Sequence, residues 1–301
     1  MNSLLTTKSF PVRHYNLEAT LNSGQAFRWS ASNGTWVGVI GSHWVRLRSD
    51  DFGITAETAK PIHDWAWLEN YLQLNFDLEG VLLTFPEDEP MRAAGHTCRG
   101  LRLLRQAPWE CLASFILSSN KQIVQIQQII GLLCERFGEP VPTGPGYGAA
   151  YSFPSAVRLA RATEAELRDC KMGFRAPYLL KTAGLIASGT FDLTRLYNLT
   201  VELAREELLN FPGVGRKIAD CVLLFAYGFQ GAFPVDVWVM KALRQLYFPR
   251  RRVSIQRLHR FAATHFGPNA GYAQQYLFHY MRTKHPRRRG REVRTLAKQI
   301  I

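Results

Sequence analysis

Two residues able to do covalent and electrostatic chemistry, Lys217 and Asp236, lie within one segment, LLNFPGVGRKIADCVLLFAYGFQGAFPVDVW, over residues 208–238. A deprotonated lysine amine is a nucleophile and forms a Schiff base with a sugar carbon. A carboxylate held nearby stabilises positive charge that develops on that sugar. Lys217 lies in the first turn of a predicted helix, where the helix dipole disfavours a cation and so favours the free amine. The alternatives are a phosphate-contacting or solvated lysine and an aspartate that only caps the next helix.

A Pro-Gly-Val-Gly turn precedes Lys217 and joins two predicted helices. Pro212 cannot continue the first helix, and Gly213 and Gly215 permit backbone angles that are closed to other residues. The first amides of the second helix have no partner within it and point back toward the turn. Such a hairpin binds an anion, and a DNA backbone phosphate is the natural ligand. The alternative is an ordinary corner between two helices with glycine as a cap.

Positive charge is concentrated near the C-terminus. The 301 residues carry a formal net charge of +13, and residues 241–301 contain 15 Lys and Arg against one acidic residue, Glu292. The preceding part of the chain is therefore close to neutral. This distribution predicts a polyanionic partner that is bound with salt-sensitive affinity. For the last 15 residues, RRRGREVRTLAKQII, a solvated tail or a localisation signal is the alternative.

The cysteines and the hydropathy indicate an intracellular protein. There are five cysteines, an odd number without C-x-x-C spacing, which argues against a disulfide framework and favours a reducing compartment. That compartment is the cytoplasm or nucleoid of a bacterium, or the nucleus of a eukaryote. No apolar run reaches the roughly 18 residues of a membrane span, and the N-terminus lacks the apolar core of a signal peptide. The eight His show no zinc-ligand spacing.

Apolar patterning divides the chain into a β-rich N-terminal part and a helical remainder. TWVGVIGSHWVRLRS alternates apolar and polar residues around Gly41-Ser42, which predicts a hairpin. The predicted class is α+β, with a β domain over 1–90, a helical domain over 91–284 and a basic tail over 285–301. Residues 141–151, rich in Gly and Pro, are predicted to form a loop. A helical pair breaks at 118–120, and further helices are predicted over about 62–78, 155–171, 176–188, 200–210, 216–229, 237–248, 254–265 and 269–284.

Five separated blocks resemble motifs of the helix–hairpin–helix DNA base-excision glycosylases and, within that superfamily, of the 8-oxoguanine DNA glycosylase family. The hairpin with Lys217 and Asp236 is one block. The other four are LNSGQAFRW (21–29), SSNKQI (118–123), GFRAPY (173–178) and AQQYLF (273–278). The resemblance extends from about Asn16 to about Met281. It implies a TBP-like antiparallel β domain packed on an all-α helix–hairpin–helix glycosylase domain.

The resemblance implies a bifunctional DNA repair enzyme that extrudes and excises 8-oxoguanine from duplex DNA, followed by β-elimination at the abasic site. Lys217 and Asp236 would be its catalytic residues.

The same resemblance implies a pocket for the extruded base. The backbone carbonyl of Gly24 would accept the proton that the lesion carries on N7. Gln274 would read the Watson–Crick edge, while Cys221 and Phe278 would sandwich the ring. From the residues alone, Gly24 is a turn glycine and Phe278 a core residue.

DNA-facing roles follow from the resemblance as well. Asn120 would fill the hole left by the extruded base, Phe174 would wedge between bases of the opposite strand, and Arg175 would hydrogen-bond the orphaned base. Trp238 stands where the family often has a histidine that touches a phosphate. Because an indole cannot become cationic, that phosphate contact is in doubt.

No cofactor and no catalytic metal are implied. The iron–sulfur loop of several relatives needs four cysteines after the catalytic helix, and none lies beyond Cys221. Hairpin carbonyls around Leu209, Phe211 and Val214 are a candidate site for a structural cation, as in related hairpins. The implied partner is double-stranded DNA containing oxidised guanine, bound by a monomer that does not associate with membranes.

Two other functions remain open. An alkylpurine glycosylase on the same scaffold typically lacks the lysine beside the hairpin, so Lys217, Gly24 and Gln274 argue against it. A non-catalytic helix–hairpin–helix DNA-binding protein accounts for the turn and the basic tail, but leaves Asp236 and Asn120 without a purpose.

Gln125 stands where the best-fitting family members have an arginine that also reads the orphaned cytosine. Glutamine is neutral and cannot supply a guanidinium fork. We therefore expect weaker discrimination for cytosine opposite the lesion than in the members that have the arginine. Excision rates on duplexes with C, T, G or A in that position measure it, and a strict preference for C would contradict this expectation.

Overall fold

A five-stranded antiparallel sheet forms the N-terminal part of the structure, a computed structural model that describes residues 5–32, 34–249 and 253–284. Its strands lie in the order β1-β5-β4-β3-β2. The hairpin predicted at Gly41-Ser42 is confirmed, since Ile40 pairs with His43 there. The strand bounds are Thr6–Pro11 (β1), Trp29–Ser32 (β2), Thr35–Ile40 (β3), His43–Ser49 (β4) and Gly53–Thr58 (β5).

One face of the sheet buries apolar side chains against two helices, α1 (Leu17–Asn22) and α2 (Ala66–Leu72). Alternating residues of β4 and β5 point to this face, as the period of two in a strand requires. Leu47 and Ala56 are fully buried there. Burial of this kind stabilises the fold by about 25 cal/mol for each Å² of apolar surface removed from water.

The part of the described chain that follows the sheet is mainly helical, and its helices share a second hydrophobic core. The predicted α+β class is therefore confirmed. The helices are α3 (Leu78–Leu82), α4 (Glu89–Thr97), α5 (Pro108–Leu117), α6 (Ile123–Phe137), α7 (Ala156–Ala160), α8 (Glu164–Asp169), α9 (Ala176–Ala187), α10 (Val201–Leu209), α11 (Arg216–Val222), α12 (Val237–Leu246), α13 (Ile255–His265) and α14 (Ala270–Lys284). Short 3₁₀ turns lie at Gly173–Arg175 and Leu193–Asn198.

Some predicted helix bounds were wrong. The helix predicted over 62–78 is shorter, because Gln73 is left-handed at φ +56° and ends α2. The helix predicted over 155–171 is two helices, because Thr163 and Glu166 form a capping box that starts α8. The helix predicted over 216–229 changes to a π turn at Leu223–Tyr227.

The loop predicted over 141–151 is bordered by a two-stranded ribbon of β6 (Pro140–Val141) and β7 (Ala150–Tyr151). The predicted basic tail over 285–301 and the run Arg250-Arg251-Arg252 lie outside the described residues. Among the described helices, none has the length and apolar character to cross a membrane. The domain bounds at 90 and 284 stay predictions.

A buried glutamine joins the turn after α1 to the segment that precedes α5. The amide nitrogen of Gln25 donates to the carbonyls of Thr20 at 2.9 Å and Arg102 at 2.8 Å. Its amide oxygen accepts from the Leu104 N–H at 2.7 Å. Since the amide nitrogen and the amide oxygen both have partners, the side chain fixes the backbone of the Ser23-Gly24-Gln25 turn relative to the segment that precedes α5.

Gln25→Leu is expected to lower the free energy of unfolding by about 3 kcal/mol, because it leaves buried backbone groups without partners. Urea denaturation measures the loss. The matched control is Gln128→Leu on the exposed face of α6, which should change stability by no more than about 0.5 kcal/mol. Equal losses for the two variants would contradict the role assigned to the network.

Candidate active site

The hairpin between α10 and α11 is shaped by its glycines. Gly213 has φ +76°, and a Cβ atom there would lie 2.6 Å from Cδ2 of Tyr178 in α9. Only glycine therefore fits the turn. Gly215 is the extended residue before α11, so the first amides of that helix face the exposed turn. Binding of a phosphate by these amides stays a prediction.

A buried ion pair braces the two helices of the hairpin. Arg205 in α10 donates from Nε to Oδ1 of Asp220 in α11 at 2.6 Å, and the Asp220 side chain is 1% exposed. Burial raises the pKa of Asp220, while the charges of Arg205 and Arg216 act in the opposite direction. Because Asp220 lies one turn after Lys217, this pair also sets the rotation of the helix that carries the lysine. Sequence reasoning missed it.

Lys217 projects from the first turn of α11 toward the end of α5. Its Nζ donates to Oγ of Ser118 at 3.3 Å and lies 5.4 Å from the centre of the Phe115 ring. Ser118 Oγ in turn donates to the Phe115 carbonyl at 2.7 Å. The lysine is thus held, half-buried, beside the turn that carries Asn120.

Asp236 caps α12, with the Val239 N–H donating to its Oδ1 at 2.8 Å. Burial raises the pKa of Asp236, and the Val239 amide and the charge of Lys217 oppose that shift. The capping function expected from the sequence is present. The charge of Lys217 acts on this carboxylate, which the Val239 amide holds in place.

Cys221 follows Lys217 by one helical turn and therefore lies on the same face of α11. It is buried, and burial raises the pKa of its thiol to about 12. The thiol is thus a neutral, apolar surface next to the lysine. All five cysteines of the chain are free and buried.

Gly24 and the α14 residues named from the sequence meet at one place. Gly24 has φ +79°, and a Cβ atom there would lie 2.9 Å from Cδ1 of Ile123 and 3.4 Å from Cε1 of Phe278. Gln274, one turn before Phe278, is 3% exposed. Its Oε1 is buried without a hydrogen-bond partner among the described residues. A buried acceptor of this kind is costly unless a ligand satisfies it.

α14 also holds the turn that contains Gly24. Gln275 donates from Nε2 to the Ser23 carbonyl at 3.0 Å, and Arg282 donates from Nη1 to the Asn22 carbonyl at 3.1 Å. Sequence reasoning missed both residues. For Arg282 the signal was its spacing from Gln274 and Phe278 at successive steps of four, which places all three on one face of a helix.

The two residues predicted to enter the base stack, Asn120 and Phe174, are both exposed. Asn120 is exposed and left-handed at φ +54°, and Phe174 is 51% exposed. Arg175, in contrast, is 3% exposed and turned inward. Its Nε donates to the Ser119 carbonyl at 2.9 Å, and its guanidinium stacks on Phe174 at 4.2 Å. Burial lowers the pKa of Arg175.

Gln125 is also engaged within the protein. Its side chain accepts from the Gln122 N–H at 3.0 Å and completes a capping box at the start of α6. The roles of Asn120, Phe174, Arg175 and Gln125 toward DNA stay predictions.

Two predicted contacts remain, the phosphate contact near Trp238 and the cation site at the hairpin. Trp238 is half-buried in the first turn of α12, and Nζ of Lys241 lies 5.8 Å from the centre of its ring. At the hairpin, the Phe211 carbonyl accepts from the Val214 N–H at 3.1 Å. The cation site at the carbonyls of Leu209, Phe211 and Val214 stays a prediction.

Two adjoining stretches of the chain match known protein families. Residues 9–112 match the N-terminal domain of 8-oxoguanine DNA glycosylase. Residues 113–262 match the HhH-GPD superfamily of base excision DNA repair proteins.

Named relatives agree with these matches. The chain is 34% identical to a probable N-glycosylase/DNA lyase of Methanothermobacter thermautotrophicus over 71% of its own length and 74% of the relative's. It is 31% identical to N-glycosylase/DNA lyase OGG1 of Arabidopsis thaliana, over 91% and 80%. The crystal structure of Clostridium acetobutylicum 8-oxoguanine glycosylase/lyase, in complex with dsDNA containing cytosine opposite 8-oxoG, matches with a TM-score of 0.85 and 31% identity over 94% and 99%. The chain belongs to the 8-oxoguanine DNA glycosylase family of the HhH-GPD superfamily.

Proposed function

We propose that this protein excises 8-oxoguanine from double-stranded DNA through a Schiff base on Lys217 and then cleaves the strand by β-elimination. The observation that carries the proposal is the position of Lys217. Its Nζ is held at 3.3 Å from Ser118 Oγ, one helical turn from Cys221 and within electrostatic range of Asp236. A nucleophile, a fixed carboxylate and an apolar surface for a base are thereby combined.

The reaction on these residues has two stages. In the first, Lys217 Nζ attacks C1′ of the extruded nucleotide, and the electrons of the C1′–N9 bond leave with the base. Asp236 stabilises the positive charge that develops on the sugar, because its carboxylate is held rigidly by the Val239 amide. In the second, opening of the sugar ring gives the Schiff base. Loss of a C2′ proton then expels the 3′ phosphate.

The pocket distinguishes the lesion from guanine by its hydrogen-bonding edges. The Gly24 carbonyl accepts the N7 proton that guanine lacks, and Gln274 reads the Watson–Crick edge. The unpartnered Oε1 of Gln274 supports this assignment, since a base donor would satisfy it. Phe278 and Cys221 hold the ring between them. Sites that read buried polar groups discriminate more strongly than apolar pockets do.

The hairpin and the exposed ridge of Asn120 and Phe174 hold the duplex in this proposal. The hairpin amides bind a backbone phosphate, Asn120 fills the stack and Phe174 wedges the opposite strand. Lys241 beside Trp238 supplies the cation that the indole does not. The protein acts as a monomer in a reducing, intracellular compartment.

Lys217→Gln is expected to abolish covalent capture of DNA by borohydride, because the Schiff base cannot form. Duplexes carrying 8-oxoguanine, a methylated adenine or no lesion should be compared, with capture expected on the first only. Lys181→Gln, an exposed change on α9, is the control and should leave capture unchanged. An adduct that persists in Lys217→Gln would reject the nucleophile. Capture or base release on methylated adenine alone would favour the alkylpurine alternative.

Base release should require an ionised Asp236. Because burial raises the pKa of Asp236, activity should be lost, as the pH falls, at a higher pH than an ordinary aspartate would give. The pH dependence of single-turnover excision measures this. Asp236→Asn should lose about 100-fold or more in rate, whereas the exposed capping variant Asp192→Asn should leave the profile unchanged. An acid limb at or below the ordinary aspartate range would contradict the assignment.

A further inference from the structure

Arg282 lies at the rim of the proposed base pocket, on the stripe of α14 that also carries Gln274 and Phe278. Its guanidinium lies 5.3 Å from the centre of the Phe278 ring. Its Nη1 donates to the Asn22 carbonyl at 3.1 Å and lies 3.4 Å from the position that a Cβ atom of Gly24 would take. The side chain is therefore held by the two elements that form the pocket, α14 and the turn containing Gly24.

The chemistry of the lesion requires two kinds of partner at adjacent positions. 8-Oxoguanine differs from guanine by a donor, N7–H, and by an acceptor, the oxygen on C8. Both belong to one edge of the five-membered ring. A carbonyl such as that of Gly24 can only accept, so it reads N7–H and leaves the C8 oxygen unread. The complement of that oxygen is a donor beside the carbonyl, and an arginine is a pure donor with five N–H groups.

We propose that Arg282 is a specificity-determining residue that donates a hydrogen bond to the C8 oxygen of the extruded base. The inference rests on the proposed function and deepens it, because it names a second contact that guanine cannot make. Gly24 and Arg282 then read the two distinguishing atoms as a pair. The stacking of the guanidinium on Phe278 and its bond to Asn22 orient the donor.

A contact to the base is favoured over a contact to a backbone phosphate. The guanidinium lies over the ring of Phe278. In the proposed function, the extruded base packs against that ring, whereas the backbone phosphate binds at the hairpin before α11. Arg282 also lies close enough to lower the pKa of Asp236 by its charge. An effect transmitted through Asp236 must therefore be separated from an effect on the base.

Binding to intact duplexes makes that separation, because it involves no chemical step. All variants are made in a Lys217→Gln background, and affinities are compared for matched duplexes carrying 8-oxoguanine or guanine opposite cytosine. Arg282→Met should weaken binding of the 8-oxoguanine duplex about tenfold or more, as expected for a lost bond to a charged donor. Binding of the guanine duplex should change by no more than about twofold. Lys284→Met on the same helix is the control and should leave the ratio of affinities unchanged.

A second measurement compares base excision with abasic-site cleavage in the protein that retains Lys217. With Lys217 present, Arg282→Met should slow excision of 8-oxoguanine about tenfold or more. Cleavage at a preformed abasic site, which contains no base, should stay within about twofold. Arg282→Lys retains a donor without the planar fork and should fall between Met and Arg in binding of the 8-oxoguanine duplex and in excision. If Arg282→Met does not fold, Arg282→Lys still tests the proposed role of Arg282.

Four outcomes would overturn the inference. Equal loss of affinity for both duplexes, or parallel loss of excision and abasic-site cleavage, would indicate a phosphate contact. A defect in excision that shifts with pH, without any loss in binding discrimination, would indicate an effect through Asp236. If the unsubstituted protein shows no preference for 8-oxoguanine, the proposed function itself fails. If that preference is present and Arg282→Met retains it, only the inference about Arg282 fails.

Discussion

The ion pair between Arg205 and Asp220 is the interaction on which the geometry of the site depends. Removing a carboxylate from water costs several kcal/mol, and only a close, well-directed partner compensates for it. With Asp220 1% exposed and 2.6 Å from Arg205, α10 and α11 cannot rotate against each other without breaking the pair. Gly213 against Tyr178 fixes the turn between them. Lys217, three residues before Asp220, therefore has a fixed direction before any DNA is bound.

The site lies where the N-terminal part of the chain meets the last helix. Gln25 joins the turn around Gly24 to the segment before α5, and Gln275 and Arg282 join the same turn to α14. All three bonds end on backbone carbonyls. Carbonyls that are already engaged in this way hold the turn at a fixed distance from Phe278. A pocket assembled from two parts of a chain needs such cross-links, because neither part alone determines the separation between its walls.

Much of the site was predictable from local sequence rules. The turn at Pro212 to Gly215, the cap at Asp236 and the break at Ser118 to Asn120 follow from backbone preferences that act over a few residues. The spacing of Lys217 and Cys221 places them on one face of a helix in the same way. Family resemblance added the distant residues Gly24 and Gln274, which no local rule connects.

The unpredicted features depend on contacts between residues far apart in the chain. Arg175, whose role toward DNA stays a prediction, donates to the carbonyl of Ser119, 56 positions earlier, and no local sequence rule indicates that contact. Arg205 and Asp220 each look like an ordinary surface charge in a helix, and only the packing of α10 on α11 buries Asp220 beside Arg205. α2 ends before the predicted residue 78 because Gln73 has a left-handed backbone conformation. The surrounding packing imposes that conformation, and the side-chain type does not indicate it.

Several groups predicted to recognise DNA already have partners within the protein. Arg175 bonds to Ser119, Gln125 to the amide of Gln122 and Arg282 to Asn22. Each contact to DNA is therefore an exchange of one hydrogen bond for another, and its net contribution is the small difference between them. A normal base that is a poor hydrogen-bond partner gains no binding free energy when a bond within the protein is replaced by a bond to that base. Discrimination then depends on the quality of the replacement bond. Under the contacts proposed for Gly24 and Arg282, the exchange favours the lesion, whose edge carries both a donor and an acceptor.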